Sequence, residues 1–430
     1  MAQEDYAKIS LLWVSVFSLT LLENACKIQE SKEDDMATIN DYLAKHKNET
    51  FEQFPFNEAD ILCLNELGYF CFEDLDNTLD FSKEVILHDI LMPYEAGEKV
   101  FNHSFLVTKA RVELLKNVAS SQRFADLRLS AYVNDVDVEY ERQFSAMIFS
   151  LPELNYRQVV FRGTDDTLIG WKEDFKLTYV REIPAHRAAV AYLESCLEKY
   201  AGKVTVSGHS KGGNLALYAV AHVNDLLRPQ VEKVYMLDAP GLQEKGLDSE
   251  GYKAVRERVI VIRPEESIVG IMLYNDIAPI VVKSNATGIM QHALTSWQLN
   301  EETGEFVLAE CQTALSQNLE KTFKQWMTEL SSQELKVLFD TLFDTLMSSG
   351  INSINDVTID RKFATKLAKS IASFYSVGTE KKMLLAKSAK LFVEAFVGHS
   401  KLGNFRKDTI AFSLPDFNSL LANLNNRKLK

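Results

Sequence analysis

The chain has 430 residues, 46% of them hydrophobic, and a formal net charge of −13 at pH 7. This composition is typical of a globular protein with a sizeable core, and the length allows one large α/β domain with an appended region. The acidic balance argues against a nucleic-acid-binding protein, which would need clustered Lys and Arg.

The five cysteines are scattered along the chain, and no two of them form a CxxC motif. This usage argues against a disulfide framework and against a zinc site. It favours the reducing cytoplasm over a secreted location. The sequence therefore predicts a cytoplasmic protein that needs neither a metal ion nor an organic cofactor.

The first 35 residues raise the question of where the protein starts. The apolar run from Ile9 to Leu22 is shorter than the roughly 20 residues of a bilayer span, and its flanks do not fit a signal peptide. Met36 opens MATINDYLAKH, which is typical of a natural start, and Lys32-Glu33-Asp34 can be encoded as the purine-rich AAG GAG GAT. We therefore expect no stable membrane span, and we hypothesise that residues 1–35 are a non-native extension from a start codon assigned too early. Codons that spell no ribosome-binding site would remove the main support for this hypothesis.

Helical patterns come first in the chain, and strand patterns follow. Residues 38–81 and 105–130 carry apolar residues at helical spacing, with Asn57 placed to cap one helix. Further on, short strand patterns alternate with helical patterns, which predicts a mostly parallel sheet covered on both faces. The predicted strands cover residues 130–138, 145–151, 156–162, 203–207, 233–237, 258–262, 280–283 and 296–299, and the predicted helices between them cover residues 185–200 and 214–224.

The character of the chain changes after about Cys311. Residues 314–400 contain long amphipathic helical patterns, such as LEKTFKQWMTEL, ATKLAKSIASFY and EKKMLLAKSAKLFVEAF, and no convincing strand. We therefore predict an α/β domain over residues 36–312 and an all-helical C-terminal region over residues 313–430, with a frayed tail at LNNRKLK.

The stretch VTVSGHSKGGNLALYA, residues 204–219, contains the pattern G-x-S-x-G with Ser210 as its serine. An apolar strand precedes the pattern and an apolar helix follows it, as in the nucleophile elbow of an α/β-hydrolase fold. Glycines on both sides relieve the crowding of such a tight turn, and the N-terminus of the helix favours a developing oxyanion. The pattern predicts an α/β-hydrolase fold with Ser210 as nucleophile.

A serine nucleophile needs a base, and His292 is the leading candidate. In this fold the acid and then the histidine follow the serine in the chain. His292 alone has this order and a loop setting. The other histidines precede the motif, lie within it, or fall in predicted helices, and they are His46, His88, His103, His186, His209, His222 and His399.

The acid that orients the base is chosen among several carboxylates. Asp238 directly follows the strand pattern KVYML and precedes a turn at Ala239-Pro240-Gly241. A carboxylate at the carboxyl end of a parallel strand points into the crevice where such sheets bind ligands. We therefore predict Asp238 as the acid, with Glu266 and Asp276, and also Glu265, as alternatives that follow the next strand.

The oxyanion hole needs two N–H donors. Lys211, directly after the nucleophile, is one candidate. Thr164 is the other, because it follows a strand pattern and Gly163, which permits a close approach to the elbow.

At these residues a resemblance becomes specific. VVFRGTDD, with Trp171 and Asp174 after it, and SGHSKGGNLA resemble the class 3 (fungal-type) lipases. The chain resembles still more closely the Mbeg1-like family of bacterial lipase-like proteins, at MATINDYL, FNEADILCLNELGY, LDAPG, ESIVGIML and VVKS…QHALTSW. This resemblance runs from about residue 36 to residue 299 and agrees with a start at Met36. It implies an esterase or lipase with Ser210 as nucleophile, His292 as base, and Thr164 with Lys211 as oxyanion donors.

The sequence departs from the class 3 lipases at two positions. Those lipases typically place their acid in a D-[IV]-V-P segment. This chain has Ser267-Ile-Val-Gly there, so the usual acid is missing and Asp238 is favoured as the acid. Lys211 also replaces a common leucine and is expected to put a cation beside the nucleophile.

These residues predict the hydrolysis of a carboxylic ester, which includes lipid-derived esters, through an acyl-enzyme. Residues 168–171 are expected either to contribute to a lid or acyl pocket or to belong to the core. A rival interpretation is a catalytically silent lipase-like scaffold that binds a lipid or protein partner, with the helical region as its docking element. A peptidase or thioesterase on the same triad is a third.

Overall fold

The computed structural model describes residues 36–76, 78–97, 107–137, 139–165, 167–351 and 378–399. The expectations for residues 1–35, for the helical pattern ATKLAKSIASFY and for the tail LNNRKLK lie outside the described residues. The helices are α1 (Ile39–His46), α2 (Glu58–Leu67), α3 (Phe72–Leu75), α4 (Leu87–Glu95), α5 (Lys109–Ala119), α6 (Leu168–Lys176), α7 (Pro184–Lys199), α8 (Lys211–His222), α9 (Glu250–Val255), α10 (Ala314–Glu329), α11 (Ser332–Ser348) and α12 (Thr379–His399). The strands are β1 (Val85–Ile86), β2 (Arg128–Asp137), β3 (Arg142–Leu151), β4 (Tyr156–Phe161), β5 (Val204–His209), β6 (Val231–Leu237), β7 (Val259–Pro264) and β8 (Ile280–Val282).

The eight strands form one sheet in which spatial order follows chain order, from β1 to β8. Strands β1 to β4 pair antiparallel, and strands β4 to β8 pair parallel. Because crossovers between parallel strands are right-handed, a sheet that always grows in one direction places its crossover helices on one face. Helices α7, α8 and α9 bury one apolar cluster with that face. The structure confirms the predicted α/β fold with a mostly parallel sheet.

The opposite face of the sheet is covered by the N-terminal helices α1 to α5, which share a second apolar cluster with it. Helix α2 begins where predicted. The Asn57 side chain accepts a hydrogen bond from the Ala59 N–H, and the Asp60 carboxylate accepts one from the Asn57 N–H. Asp60 also pairs with Arg123, and neither side chain is exposed. Buried charges must be matched in this way, since either one alone would be left without solvation.

One predicted strand is wrong. Residues 296–299 do not form a strand of the sheet, and Trp297 and Leu299 make only isolated bridges, to Ser284 and Phe306. The apolar pattern there comes from a loop that fills the core, because Trp297 is fully buried and its indole N–H donates to the Gln291 carbonyl. Burial by a folded-back loop produces the same sequence pattern as a short strand.

The C-terminal region is helical, as expected, in its described residues. Helices α10, α11 and α12 bury a third apolar cluster, which also contains Leu168 of α6 and contacts Trp171 and Phe175. Leu168 and Trp171 thus pack against the C-terminal helices. The division of the chain at residues 312 and 313 stays a prediction. In the described part of the chain, no helix combines the length and the apolar character needed to cross a bilayer.

Candidate active site

Ser210 occupies a strained turn between β5, which ends at His209, and α8, which begins at Lys211. Its φ of 58° and ψ of −134° are angles that residues with a side chain rarely adopt. The turn brings the chain very close to its neighbours, and glycines stand at the points of closest approach. A Cβ on Gly208 would lie 2.2 Å from the Gly212 carbonyl carbon, and a Cβ on Gly212 would lie 2.0 Å from the Phe161 oxygen. Both glycines of the motif are therefore required by close packing.

Asp238 and His292 meet at the carboxyl end of the sheet. Asp238 directly follows β6, is fully buried and has a φ of 40°. Its Oδ2 lies 2.6 Å from Nδ1 of His292, whose side chain is 22% exposed. Its Oδ1 accepts from the Ser267 hydroxyl and from the Gly270 N–H. With Nδ1 held by the carboxylate, Nε2 of His292 is left as the proton acceptor.

His209 braces the backbone of His292. Its Nε2 lies 2.8 Å from the His292 carbonyl oxygen, and its Nδ1 lies 2.5 Å from the Tyr69 hydroxyl. A carbonyl oxygen can only accept, so Nε2 carries the proton and Tyr69 donates to Nδ1. Burial, with the nearby His292 as a smaller cause, holds the pKa of His209 well below its usual value. His209 is therefore a neutral, fixed donor.

His209, the residue directly before Ser210, brings the turn next to His292. The rings of His209 and of His292 are 4.3 Å apart. Among the hydrogen bonds of the described residues, none joins the Ser210 hydroxyl to His292. Such bonds are often long in unliganded sites and tighten when substrate binds.

The loop that carries Gly163 and Thr164 also contacts the elbow. A Cβ on Gly163 would come within 3.0 Å of the Ser210 Cβ, so the loop after β4 is in direct contact with the serine. Over the residues that the structure describes, the backbone N–H groups of Thr164 and Lys211 have no hydrogen-bond partner. Two unpaired N–H groups beside a serine are what an oxyanion would require.

The side chain of Lys211 is buried in an ion pair. The cation is only 1% exposed, and its Nζ lies 3.0 Å from both the Glu173 carboxylate and the Gln143 carbonyl oxygen. Burial works to lower the pKa of Lys211, but Glu173 and Asp174 outweigh it and the pKa is raised. The ammonium group therefore stays charged, and it is engaged with α6 rather than presented to a substrate. Sequence alone did not pair Lys211 with Glu173, because the two are far apart in the chain.

Asp174 connects this ion pair to Thr164. Its carboxylate accepts from the Thr164 hydroxyl and lies 3.7 Å from the Lys211 ammonium group. Burial raises the pKa of Asp174 to about 6, and the charge of Lys211 limits the rise.

The alternative acids lie elsewhere. Glu266 accepts from the Gly288 N–H and from the Gln291 side chain, and so braces the loop that carries His292. Asp276 accepts from Tyr252 and Arg256. The structure thus brings Asp238 to His292, whereas Glu266 and Asp276 bond to other groups.

Sequence reasoning missed the supporting residues Tyr69, His209 and Ser267. A polar residue at the position where class 3 lipases carry an acid was the one available signal, for Ser267. Across the described residues, no group of three or more His, Cys, Asp and Glu side chains is arranged to hold a metal ion.

Comparison with known proteins gives remote structural neighbours. The crystal structure of M37 lipase is 12% identical over 50% of this chain and 70% of that chain, with a TM-score of 0.33. The native Rhizomucor miehei lipase–propeptide complex is 13% identical over 66% of this chain and 91% of that chain, with a TM-score of 0.34. No curated protein sequence matches this chain.

The sequence itself matches one protein family. The Mbeg1-like family model matches residues 118–344, which is more than half of the chain and includes Ser210, Asp238 and His292. This chain therefore belongs to the Mbeg1-like family.

Proposed function

We propose that this protein is a serine hydrolase that cleaves carboxylic esters. The observation that supports it most is the hydrogen bond between Asp238 and His292 beside a serine held at a positive φ. A strained serine, a carboxylate-bound imidazole and two unpaired N–H groups together are the parts that acyl transfer requires.

Each residue has one role in the proposed reaction. Nε2 of His292 takes the proton of the Ser210 hydroxyl while the serine oxygen attacks the ester carbonyl. The N–H groups of Thr164 and Lys211 bind the negative oxygen that forms, and Asp238 stabilises the imidazolium. His292 then gives the proton to the leaving alcohol, and water, activated by the same imidazole, releases the carboxylic acid. This chemistry uses protein groups and water throughout.

The substrate of this proposal is a small ester, and a lipid-derived one is consistent with the lipase-like resemblance. A panel of p-nitrophenyl esters of increasing acyl length, together with thioesters and peptides, would separate an esterase from a thioesterase or peptidase.

Active-site labelling tests the proposal. We expect a fluorophosphonate probe to label the wild-type protein at Ser210, and Ser210→Ala to abolish both labelling and ester hydrolysis. Ser348→Ala serves as the control, because Ser348 is an exposed serine at the end of α11. His292→Ala should slow labelling by roughly 1,000-fold or more.

A folded wild-type protein that does not react with the probe would contradict the proposal. That result would favour the rival function, a catalytically silent scaffold that binds a lipid or protein partner. Circular dichroism of the same sample would show that the protein is folded.

A further inference from the structure

Helix α6 has two faces, and each contacts a different part of the molecule. One face carries Glu173 and Asp174, which bind Lys211 and Thr164 beside the elbow. The other face carries a stripe at helical spacing that packs against the C-terminal helices. That stripe consists of Leu168, Trp171, Lys172 and Phe175, and Tyr179 in the turn after α6 packs against the same cluster.

Helix α6 packs tightly against the loop of Thr164. A Cβ on Gly170 would lie 2.8 Å from the Thr164 Cγ2 and 2.9 Å from the Asp165 Oδ1. Both residues are buried, and close-packed interiors transmit displacements rather than absorb them. A shift of α6 must therefore move Thr164 with it.

The contact between α6 and α11 is both apolar and ionic. The Phe175 ring lies 4.5 Å from the Phe339 ring and 5.6 Å from the Phe343 ring, measured between centroids. The ammonium group of Lys172, only 6% exposed, lies 2.8 Å from Asp344 and 3.6 Å from Asp340. The remaining ionic partner of this lysine is Glu141, in the turn between β2 and β3. Without α11, a buried lysine would lose two of these carboxylates and an aromatic face would lose its cover.

We infer that the C-terminal helices complete the oxyanion side of the active site, with Asp340, Asp344 and Phe343 of α11 as positioning residues that hold Thr164 through α6. The inference rests on the proposed hydrolase function for its catalytic consequence. In this inference the C-terminal region supports the active site, instead of acting as a separate docking module. A displaced oxyanion donor lowers kcat more than it raises KM, because it binds the transition state more strongly than the substrate.

The test compares two double variants that remove the same charge from the C-terminal helices. Asp340→Asn with Asp344→Asn removes the two partners of Lys172 that lie on α11 and leaves Glu141 in place, whereas Glu329→Gln with Glu380→Gln changes two exposed carboxylates away from α6. Hydrogen exchange measured by mass spectrometry reads the peptide over residues 163–177 without any need for activity. We expect exchange there to accelerate about 10-fold in the first variant and to stay unchanged in the second.

Kinetics of the same variants test the catalytic consequence. We expect the first variant to lose about 10-fold in kcat and in the rate of fluorophosphonate labelling, with KM within about 2-fold, and the control to keep wild-type values. Phe343→Leu, which shortens the apolar contact without removing a charge, should act in the same direction.

Three outcomes would overturn the inference: unchanged exchange over residues 163–177, an equal acceleration in the control, or faster exchange with an undiminished kcat. A wild-type protein that does not label at Ser210 would instead overturn the proposed hydrolase function, and exchange would still decide whether α11 holds α6.

Discussion

The two sides of the candidate site are supported in different ways. On the His292 side, the support comes from the sheet and the loops at its carboxyl end. Asp238 bonds through its N–H to Ile262 of the neighbouring strand, and Ser210 bonds in the same way to Leu237. On the Thr164 side, the support is a single short helix, α6, whose outer face packs on the C-terminal helices.

This difference separates what the α/β sheet provides from what the rest of the chain provides. The sheet places Ser210 and Asp238 through backbone bonds between adjacent strands, and the side chains of Asp238 and His209 hold His292 in the loop after β8. By our inference, the loop of Thr164 depends on side chains from α11, far away in the sequence. We therefore expect substitutions near His292 to impair the His292 side. The Thr164 side should be impaired both by nearby substitutions and by substitutions in the remote helix α11.

The largest effect is expected on the His292 side, from substitution of Asp238. Asp238→Asn should reduce kcat by about 10⁴-fold, because an amide cannot stabilise the imidazolium and favours the wrong tautomer of His292. Ester hydrolysis by the purified variant measures this loss.

Asp276→Asn is the matched control, since Asp276 accepts from Tyr252 and Arg256 instead of His292. A loss for Asp276→Asn as large as that for Asp238→Asn would show that the acid had been misassigned.

A smaller effect is expected from the loss of the His209 contact that holds His292. His209→Phe removes the donor to the His292 carbonyl and leaves the Tyr69 hydroxyl without its acceptor. We expect kcat to fall roughly 10- to 100-fold through misplacement of the imidazole. The kcat–pH profile should keep its shape, because burial already keeps His209 neutral.

His209→Gln is the conservative counterpart, whose amide N–H can still donate to the same carbonyl. We expect it to recover most of the loss. Equal activity of His209→Phe and the wild-type protein would remove the bracing role.

The smallest effect concerns stability on the Thr164 side. Burial raises the pKa of Asp174 from 3.8 to about 6, so between these values the folded protein binds a proton that the unfolded chain has released. The free energy of unfolding contributed by this group is therefore lost as pH rises through about 6, by at most about 3 kcal/mol.

Guanidinium unfolding of the wild-type protein and of Asp174→Asn between pH 4 and pH 8 measures this contribution. The stability of the wild type relative to the variant should decline with rising pH. A difference that does not depend on pH would contradict the assignment.

Local patterns in the sequence predicted the parts of the fold that local chemistry decides. The strands β2 to β8 and the cap at Asn57 follow from apolar periodicity and from side chains that bond their own backbone. The start of α8 did not, because Gly212 and Gly213 have low helix propensity and are placed in the helix by close contacts, such as that of Gly212 with Phe161.

The residues proposed for the site were predictable to different degrees. Chain order and a glycine-flanked turn single out Ser210 and His292, whereas the choice among Asp238, Glu266 and Asp276 depends on which strand end faces the histidine. The bonds from Tyr69 to His209 and from Lys211 to Glu173 join distant segments, and a single sequence carries no record of such pairs.

The chain-order arrangement of the sheet has a consequence for the synthesis of this protein. As the ribosome releases β1 through β8 in turn, each strand finds its neighbour already present, so the sheet can grow by simple addition at one edge. Helix α11 leaves the ribosome only after the whole sheet. On the proposed function, a nascent chain halted before residue 332 would hold Ser210, Asp238 and His292 in place while the loop of Thr164 still lacked its support from α11, so the unfinished protein would hydrolyse esters more slowly than the complete one.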